Sequence, residues 1–207
     1  MSVEVKKFPP RTAVIETALG WIAFAWRDTE LQRLTLGYSD PQAAHDALEL
    51  TETEAYGRSR FATDLTERLQ RYADGQREDF FMVKVNTDHL SPFQLQVIER
   101  CRQIPRGRTL TYRELATRSG SPSAAPAVSV MRTNRYPLII PCHRVVASNG
   151  NLGGYSAPTG LELKKRLLDL EQERNAVSGP QSYSERTNKH GVHVDLVVGF
   201  IKFSCRS

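Results

Sequence analysis

Residues 141–145, which read Pro-Cys-His-Arg-Val, constrain this chain more than any other stretch. They follow the apolar run Leu-Ile-Ile at 138–140, so we expect a buried strand that ends at a proline with a fixed backbone. A thiol held there beside an imidazole can act as a nucleophile with a base nearby. A cysteine in this position can also be an inert core residue, beside a histidine on the surface. The rest of the sequence has to decide between these two interpretations.

Length and composition are those of an ordinary globular protein. The 207 residues, 40% of them hydrophobic and 25% charged, suit one large domain or two small ones. No apolar run approaches the roughly 20 residues of a membrane span, and the N-terminus lacks the apolar centre of a signal peptide. Cys101, Cys142 and Cys205 are odd in number and widely spaced, so we expect neither disulfides nor a metal site. We therefore expect a cytoplasmic protein, or a nuclear one in a eukaryote, that does not bind a membrane.

Charge is distributed unevenly along the chain, although the formal net charge is only +5. Residues 40–80 contain ten acidic residues and five arginines, whereas residues 100–144 contain nine arginines and a single acid, Glu114. A surface that is this basic binds a polyanion by releasing counterions. A solvated basic face without a partner is the alternative, and the ratio of charges favours a nucleic acid as the partner.

The N-terminal part, residues 10–88, is predicted to form a small antiparallel sheet with helices. Residues 13–37 are rich in aromatic and apolar residues interrupted by turn signals, which indicates strands. An Asp-Pro pair predicts a helix from residue 40 to about residue 50. Apolar residues at helical spacing predict a second helix over 61–72. Two valines within 83–85 are typical of an additional strand.

The following part, residues 89–175, is predicted to be mainly helical. An apolar stripe predicts a helix over 93–101, and an amphipathic pattern predicts a last helix over 161–171. Residues 176–207 are polar and rich in turn signals at first, and we expect a tail of uncertain structure there.

Two further helices are predicted between these elements. The Thr-Tyr-Arg-Glu sequence at 111–114 is a capping-box pattern that begins a short helix. A Gly-Ser-Pro turn at 120–122 separates it from a second short helix over 123–133. Two short helices joined by a glycine turn among arginines are typical of a helix-turn-helix.

Several short stretches between residues 91 and 171 match one known family. They are Phe93-Gln94, Ile104-Pro105-Arg106-Gly107, Thr111-Tyr112, Leu115-Ala116, Arg132-Thr133-Asn134, the run from Pro137 to Val146, Gly153-Gly154-Tyr155-Ser156, and Leu167-Leu168 with Glu171. With this pattern the chain resembles the O6-alkylguanine–DNA alkyltransferases, also called methylated-DNA–protein-cysteine methyltransferases. The resemblance implies an α+β fold. In it, a small ribonuclease H-like N-terminal sheet of three strands with helices precedes a mainly helical C-terminal domain with a helix-turn-helix.

The resemblance also implies a reaction and a role for each residue around the thiol. An alkyl group on the O6 atom of guanine in DNA would be transferred to Cys142 in a single, irreversible turnover, without cofactor or metal. His143 would act as the base on Cys142 through a water, and Glu171 would orient His143, as in hydrolase triads. Tyr112 would donate a proton to the leaving guanine. Asn134 would be a structural hinge that ties the second helix to the active-site strand and keeps the site rigid.

Binding residues follow from the same resemblance. The guanine would be held in a pocket formed by Pro137, Val145, Tyr155 and Ser156. Because a base inside a duplex is out of reach of a buried thiol, the nucleotide would be flipped out of the helix. The expected DNA contacts lie on and around the second short helix, at Ser123, Ala125, Pro126, Ala127, Arg132 and Arg135. The partner would be double- or single-stranded DNA carrying alkylated guanine, bound by a monomer.

One position departs from the family pattern. Family members usually carry an arginine near the start of the second helix, where its side chain fills the gap left by the flipped base. In this chain that position is Pro126, and a usual glycine is replaced by Ser129. Proline is tolerated in a first helical turn, but it cannot fill the gap, so we expect weaker flipping from duplex DNA.

Two alternatives belong to different functional classes. A DNA-binding module could recognise the lesion and recruit repair without transferring anything, although relatives of that kind lack the cysteine that this chain has at Cys142. A cysteine hydrolase would need an oxyanion hole and would have no use for an arginine-rich helix-turn-helix.

Overall fold

A computed structural model of the chain describes residues 8–53, 59–148 and 150–177. Its N-terminal sheet has three antiparallel strands in the order β1-β2-β3: β1 Arg11–Thr17, β2 Gly20–Arg27 and β3 Glu30–Tyr38. The first hairpin closes through Gly20, whose φ of 93° favours glycine and whose added Cβ would meet the Tyr38 carbonyl oxygen at 2.7 Å. The predicted three-stranded antiparallel sheet is therefore confirmed.

Two helices follow the sheet, and each begins at a side-chain cap. Helix α1 spans Pro41–Asp46 behind Asp40, and α2 spans Arg60–Ala73 behind Ser59. Helix α1 ends before the predicted residue 50, and the backbone turns into a positive φ of 49° at Glu49. The predicted strand at 83–85 is wrong, because this segment makes only an isolated bridge between Val85 and Leu31.

The second part of the chain is mainly helical, as predicted. Its helices are α3 Pro92–Arg102, α4 Tyr112–Arg118, α5 Ala125–Arg132 and α6 Leu161–Val177. Capping boxes at Ser91 and Thr111 start α3 and α4, and α4 and α5 contact each other. Two short parallel strands, β4 Leu110–Thr111 and β5 Val145–Val146, pair beside them. Helix α6 is longer than predicted and includes the first two residues of the tail predicted over 176–207. The rest of that tail lies outside the described residues.

The apolar run at 138–140 is not a strand, contrary to our expectation. The Ile140 amide donates to the Tyr136 carbonyl at 2.8 Å, and the Cys142 amide donates to the Ile140 carbonyl at 2.7 Å. Leu138 has a φ of 69°, and a 3₁₀ turn spans Cys142–Arg144. These local hydrogen bonds replace the pairing of a sheet, and a short apolar run does not distinguish the two conformations.

Most buried apolar side chains of the two parts belong to one core. Trp26 of the sheet, Leu69 of α2 and Ile140 beside the 3₁₀ turn are members of the same cluster. A backbone hydrogen bond of 2.9 Å from the Leu34 amide to the Arg135 carbonyl also joins β3 to the segment that precedes the turn. The division at residues 88 and 89 stays a prediction. Among the described helices, none is both long and apolar enough to cross a membrane.

Candidate active site

Cys142 is the first residue of the 3₁₀ turn, and 8% of the residue's surface is exposed. Asn134, just after α5, lies 3.1 Å from its Sγ atom through Nδ2, which also donates to the Ile140 carbonyl at 3.0 Å. The Oδ1 atom of Asn134 accepts from the Tyr136 amide at 3.0 Å. Burial raises the pKa of Cys142, and the hydrogen bond from Asn134 opposes this increase. The thiol is therefore held in place, and it needs a base to become a thiolate.

His143, which follows Cys142 in the chain, forms a buried pair with Glu171. Both side chains are fully buried, and Nε2 of His143 lies 3.0 Å from Oε1 of Glu171. With the Nε2 proton donated to the carboxylate, Nδ1 carries the lone pair of the neutral ring. Nδ1 is buried and has no hydrogen-bond partner among the described residues. Burial lowers the pKa of His143, against the opposing effect of Glu171, so the neutral ring that can accept a proton is favoured.

The carboxylate of Glu171 is stabilised from several directions. Arg144 donates to Oε1 at 2.8 Å and to Oε2 at 3.0 Å, and the Gly107 amide donates to Oε2 at 3.1 Å. Burial alone would raise the pKa of Glu171, but His143 and Arg144 together outweigh it and hold this pKa well below its usual range. Glu171 is thus a carboxylate that orients the imidazole.

A cavity of about 430 Å³ opens beside Cys142. It brings together most of the residues predicted around the thiol, namely Tyr112, Arg132, Asn134, Arg135, Pro137, Cys142, Tyr155 and Ser156. Val145 is not among its lining residues, and its carbonyl accepts from Lys164 at 2.6 Å. The N-terminal sheet contributes Arg33 and Tyr38 to the wall, which sequence patterns did not indicate.

Tyr112 and the loop after Cys142 are fitted closely to each other. The Tyr112 hydroxyl lies 3.5 Å from the Gly154 carbonyl, and a Cβ on Gly153 would meet the Tyr112 ring at 2.8 Å. The ammonium of Lys164 lies 5.7 Å from the centre of the same ring and donates to the Leu152 carbonyl at 2.5 Å. Burial lowers the pKa of Lys164 to about 8. Its position in an amphipathic helix gave no signal that it would be buried.

The predicted DNA-contact residues do not all reach the surface. Ser123, Ala125 and Pro126 are exposed at the start of α5, whereas Ala127 is fully buried in the core. The side chain of Ala127 is therefore unable to reach DNA in this structure. The first turn of α5 carries a proline and has no side-chain cap at Ala124.

The arginines that make residues 100–144 so basic have different surroundings. Arg132 and Arg135 are exposed beside the Cys142 cavity. Arg144 is paired with Glu171, and Arg102 and Arg106 donate to backbone carbonyls. Arg100, Arg108 and Arg118 line a separate cavity of about 300 Å³. The charge near the thiol is thus smaller than the sequence count indicated.

Tyr72 contacts both members of the buried pair, although sequence reasoning used it only as one of the apolar positions that predict α2. Its hydroxyl donates to Oε1 of Glu171 at 2.8 Å and lies 3.4 Å from Nε2 of His143. Helical spacing predicted that it would be buried, but no sequence signal pointed to a partner 99 residues away.

Together the fold and the site define an α+β protein with a thiol beside a buried histidine–glutamate pair at an open cavity. Residues 92–173 match the family model of the DNA-binding domain of 6-O-methylguanine DNA methyltransferase. The chain is 41% identical over 107 residues to a methylated-DNA–protein-cysteine methyltransferase of Methanothermobacter thermautotrophicus. That match spans 52% of this chain and 59% of the archaeal protein.

Two longer matches include the N-terminal part. A constitutive methylated-DNA–protein-cysteine methyltransferase of Bacillus subtilis is 31% identical over 158 residues, which are 76% of this chain and 92% of that protein. The crystal structure of Mycobacterium tuberculosis OGT in complex with DNA has a TM-score of 0.65 and 26% identity, covering 79% of this chain and 94% of that one. This chain belongs to the methylated-DNA–protein-cysteine methyltransferase family.

Proposed function

We propose that this protein repairs DNA by transferring an alkyl group, such as methyl, from O6 of guanine to Sγ of Cys142. The observation that carries the proposal is the Cys142 thiol in the wall of a cavity, next in the chain to His143 of the buried His143–Glu171 pair. A new S–C bond forms while the C–O6 bond breaks, and the electron pair of the broken bond leaves with guanine. Because the thioether that forms is stable, each molecule reacts once.

Proton transfer supports the displacement at both ends. The thiol proton passes through a water to Nδ1 of His143, whose other nitrogen is held by Glu171. The departing guanine takes a proton from Tyr112, and the solvent restores the tyrosine while His143 releases the proton that it gained. The raised pKa of the thiol makes this removal of a proton necessary.

The substrate base would occupy the cavity. Pro137 forms an apolar wall, Tyr155 presents a hydroxyl that has no hydrogen-bond partner among the described residues, and the Ser156 backbone donates to the base. The Ser156 hydroxyl donates to the Arg132 carbonyl at 3.1 Å, which ties this loop to the end of α5. The Val145 carbonyl already accepts a hydrogen bond from the Lys164 ammonium. The guanine amino group would therefore share this carbonyl with Lys164.

DNA would bind across α4 and α5, which act as a helix-turn-helix within the mainly helical second domain. Arg132 and Arg135 would contact phosphates, and the exposed residues Ser123, Ala125 and Pro126 would face the groove. The nucleotide is flipped out at a cost of a few kcal/mol, which these contacts offset. The first domain is a ribonuclease H-like unit, and the protein acts as a monomer.

The test is the mass of the intact protein after incubation with an oligonucleotide that contains O6-methylguanine. We expect the gain of one methyl group, and no gain for the variant Cys142→Ser. Binding of the modified DNA without any mass gain, on single and double strands alike, would overturn the proposal in favour of a lesion-binding module.

A further inference from the structure

Tyr72 connects the N-terminal part of the chain to the buried pair. It lies in the last turn of α2 and its side chain is 1% exposed. Its hydroxyl donates to Oε1 of Glu171 at 2.8 Å, the same oxygen that accepts from His143. The hydroxyl oxygen is also 3.4 Å from Nε2 of His143. Three polar groups thus meet at one point, where no charge is exposed to water.

The end of α2 is fixed at this point by Arg106. The guanidinium of Arg106 lies 5.1 Å from the centre of the Tyr72 ring. It also donates to the Leu170 carbonyl at 3.0 Å and to the Gly75 carbonyl at 3.3 Å. Arg106 therefore joins the residue before Glu171 to the residues that follow α2, and the Tyr72 hydroxyl has little freedom to move away from the carboxylate.

Packing alone does not require this arrangement. Tyr136 is equally buried, and its hydroxyl is satisfied by the Asn86 backbone carbonyl at 2.5 Å. Tyr72 instead donates to a carboxylate that also receives hydrogen bonds from Arg144 and the Gly107 amide. A neutral donor on Oε1 withdraws negative charge from the atom that faces the His143 ring.

We propose that Tyr72 is a positioning residue that fixes Glu171 and limits how strongly this carboxylate attracts a proton to His143. The inference rests on the proposed alkyl transfer, in which neutral His143 is the base. Without the phenol hydroxyl, more negative charge remains on Oε1 and the imidazolium form is favoured. The ring would then lose its ability to accept the thiol proton at a higher pH than in the wild type.

The other charged groups around His143 and Glu171 are the same in the wild type and in Tyr72→Phe. Arg144 and Arg106 lie near Tyr72, and Arg144 and Lys164 act on His143 from the 3₁₀ turn and from α6. The Cys142 thiol and the Tyr155 phenol are the other titratable groups nearby. Phenylalanine retains the ring under Arg106, so Tyr72→Phe removes only the hydroxyl.

The experiment measures the single-turnover rate of methyl transfer against pH for the wild type, Tyr72→Phe and Tyr136→Phe. We expect the acidic limb of the Tyr72→Phe profile to move to higher pH, with rates that approach the wild type in alkaline solution. Tyr136→Phe also loses a buried phenol hydrogen bond, and we expect its profile to overlie that of the wild type. A Tyr72→Phe profile that overlies the wild type, or an equal shift in both variants, would overturn the inference.

A second measurement does not depend on transfer. The ¹⁵N resonances of the His143 ring, followed by NMR against pH, report the protonation of Nδ1 directly in the folded protein. We expect Nδ1 of His143 to be protonated at a higher pH in Tyr72→Phe than in the wild type. In a Glu171→Gln background, the substitution Tyr72→Phe should leave this titration unchanged. An unchanged titration would overturn the inference. If Tyr72→Phe shows the shift relative to the wild type but the wild type transfers no methyl group, the proposed function is overturned instead.

Discussion

The surroundings of Glu171 and the outer face of α5 are built in opposite ways. The Glu171 carboxylate is fully buried and accepts hydrogen bonds from Tyr72 of α2, from His143 and Arg144 of the 3₁₀ turn, and from the Gly107 amide. The start of α5 has no side-chain cap, and Pro126 is exposed there. The chemistry at the thiol is thus supported by many contacts, whereas the surface proposed to open the DNA carries small and uncharged side chains.

This difference shows which part of the protein tolerates change. In the buried network each group is the partner of another, so the removal of one leaves a charge or a polar atom unsatisfied. On the outer face of α5 a substitution changes the side chains that would face DNA without disturbing the core. Substitutions in the buried network should therefore reduce stability and the transfer rate, whereas those on α5 should change how the protein acts on DNA.

The largest effect is expected from Glu171→Gln. It leaves Arg144 without its anionic partner, and breaking a buried ion pair costs about 3–5 kcal/mol. The transfer rate should fall by about 100-fold or more, because the base is no longer oriented. Urea unfolding and single-turnover kinetics measure both quantities.

Glu49→Gln is the matched control for that change. Glu49 pairs with Arg33 at 2.6 Å, but its side chain is 71% exposed, so the loss should stay below about 1 kcal/mol. Equal losses of stability in the two variants would contradict the contrast between a buried network and an exposed surface.

Gly153→Ala should reduce transfer by about tenfold, because misplacing a reacting group by a fraction of an ångström is costly. The new Cβ would lie 2.8 Å from the Tyr112 ring. Gly150→Ala is the control: its φ of 81° resembles the 71° of Gly153, but nothing lies within 4 Å of its added Cβ. Each variant should lose about 1–2 kcal/mol of stability from the positive φ, and only Gly153→Ala should slow the transfer. If Gly150→Ala slowed the transfer as well, contact with the Tyr112 ring would not be the cause of the slow transfer in Gly153→Ala.

Pro126→Arg should raise the rate on duplex DNA relative to the rate on single strands, because a long side chain could fill the gap left by a flipped base. Pro122→Arg is the control, since it adds the same charge in the exposed turn before α5. We expect the ratio of the two rates to rise only for Pro126→Arg. If the wild type already prefers duplex DNA as strongly as relatives with the arginine, the assigned consequence of Pro126 is wrong.

The smallest effect is expected from mild acid. The pKa of His143 is lowered in the folded protein by burial, so the unfolded chain binds more protons just below the ordinary histidine pKa of about 6.5. The free energy of unfolding should therefore rise with pH up to this value. Burial would raise the pKa of Glu171, but His143 and Arg144 outweigh it and lower this pKa. Glu171 therefore also makes the free energy of unfolding rise with pH, near its ordinary pKa of 4.5. His143→Asn should flatten the upper slope, and an unchanged slope would contradict the assignment.

Local signals in the sequence predicted most of the helices and the sheet. The capping box at Thr111 and the helical spacing in α2 depend on residues a few positions apart, and the structure has both elements. The apolar run at 138–140 misled us, because a turn and a buried strand share the same composition. The thiol motif and the family resemblance identified eight of the residues that line the cavity, but none of those that the N-terminal sheet contributes.

Contacts between residues far apart in the sequence could not be predicted from the sequence. The hydrogen bond between Tyr72 and Glu171 joins positions 99 residues apart, and Lys164 is buried although its residue type is usually exposed. Counting arginines overestimated the charge available to DNA, since Arg144 neutralises Glu171 inside the protein.

The central claim is that Cys142 is the acceptor of the alkyl group. The most direct test digests the protein after reaction with excess O6-methylguanine DNA and maps the methyl group on its peptides. Our account predicts one methyl group per chain, on Cys142, with Cys101 and Cys205 unmodified. A methyl group on another residue, or an unmodified chain after full exposure, would contradict it.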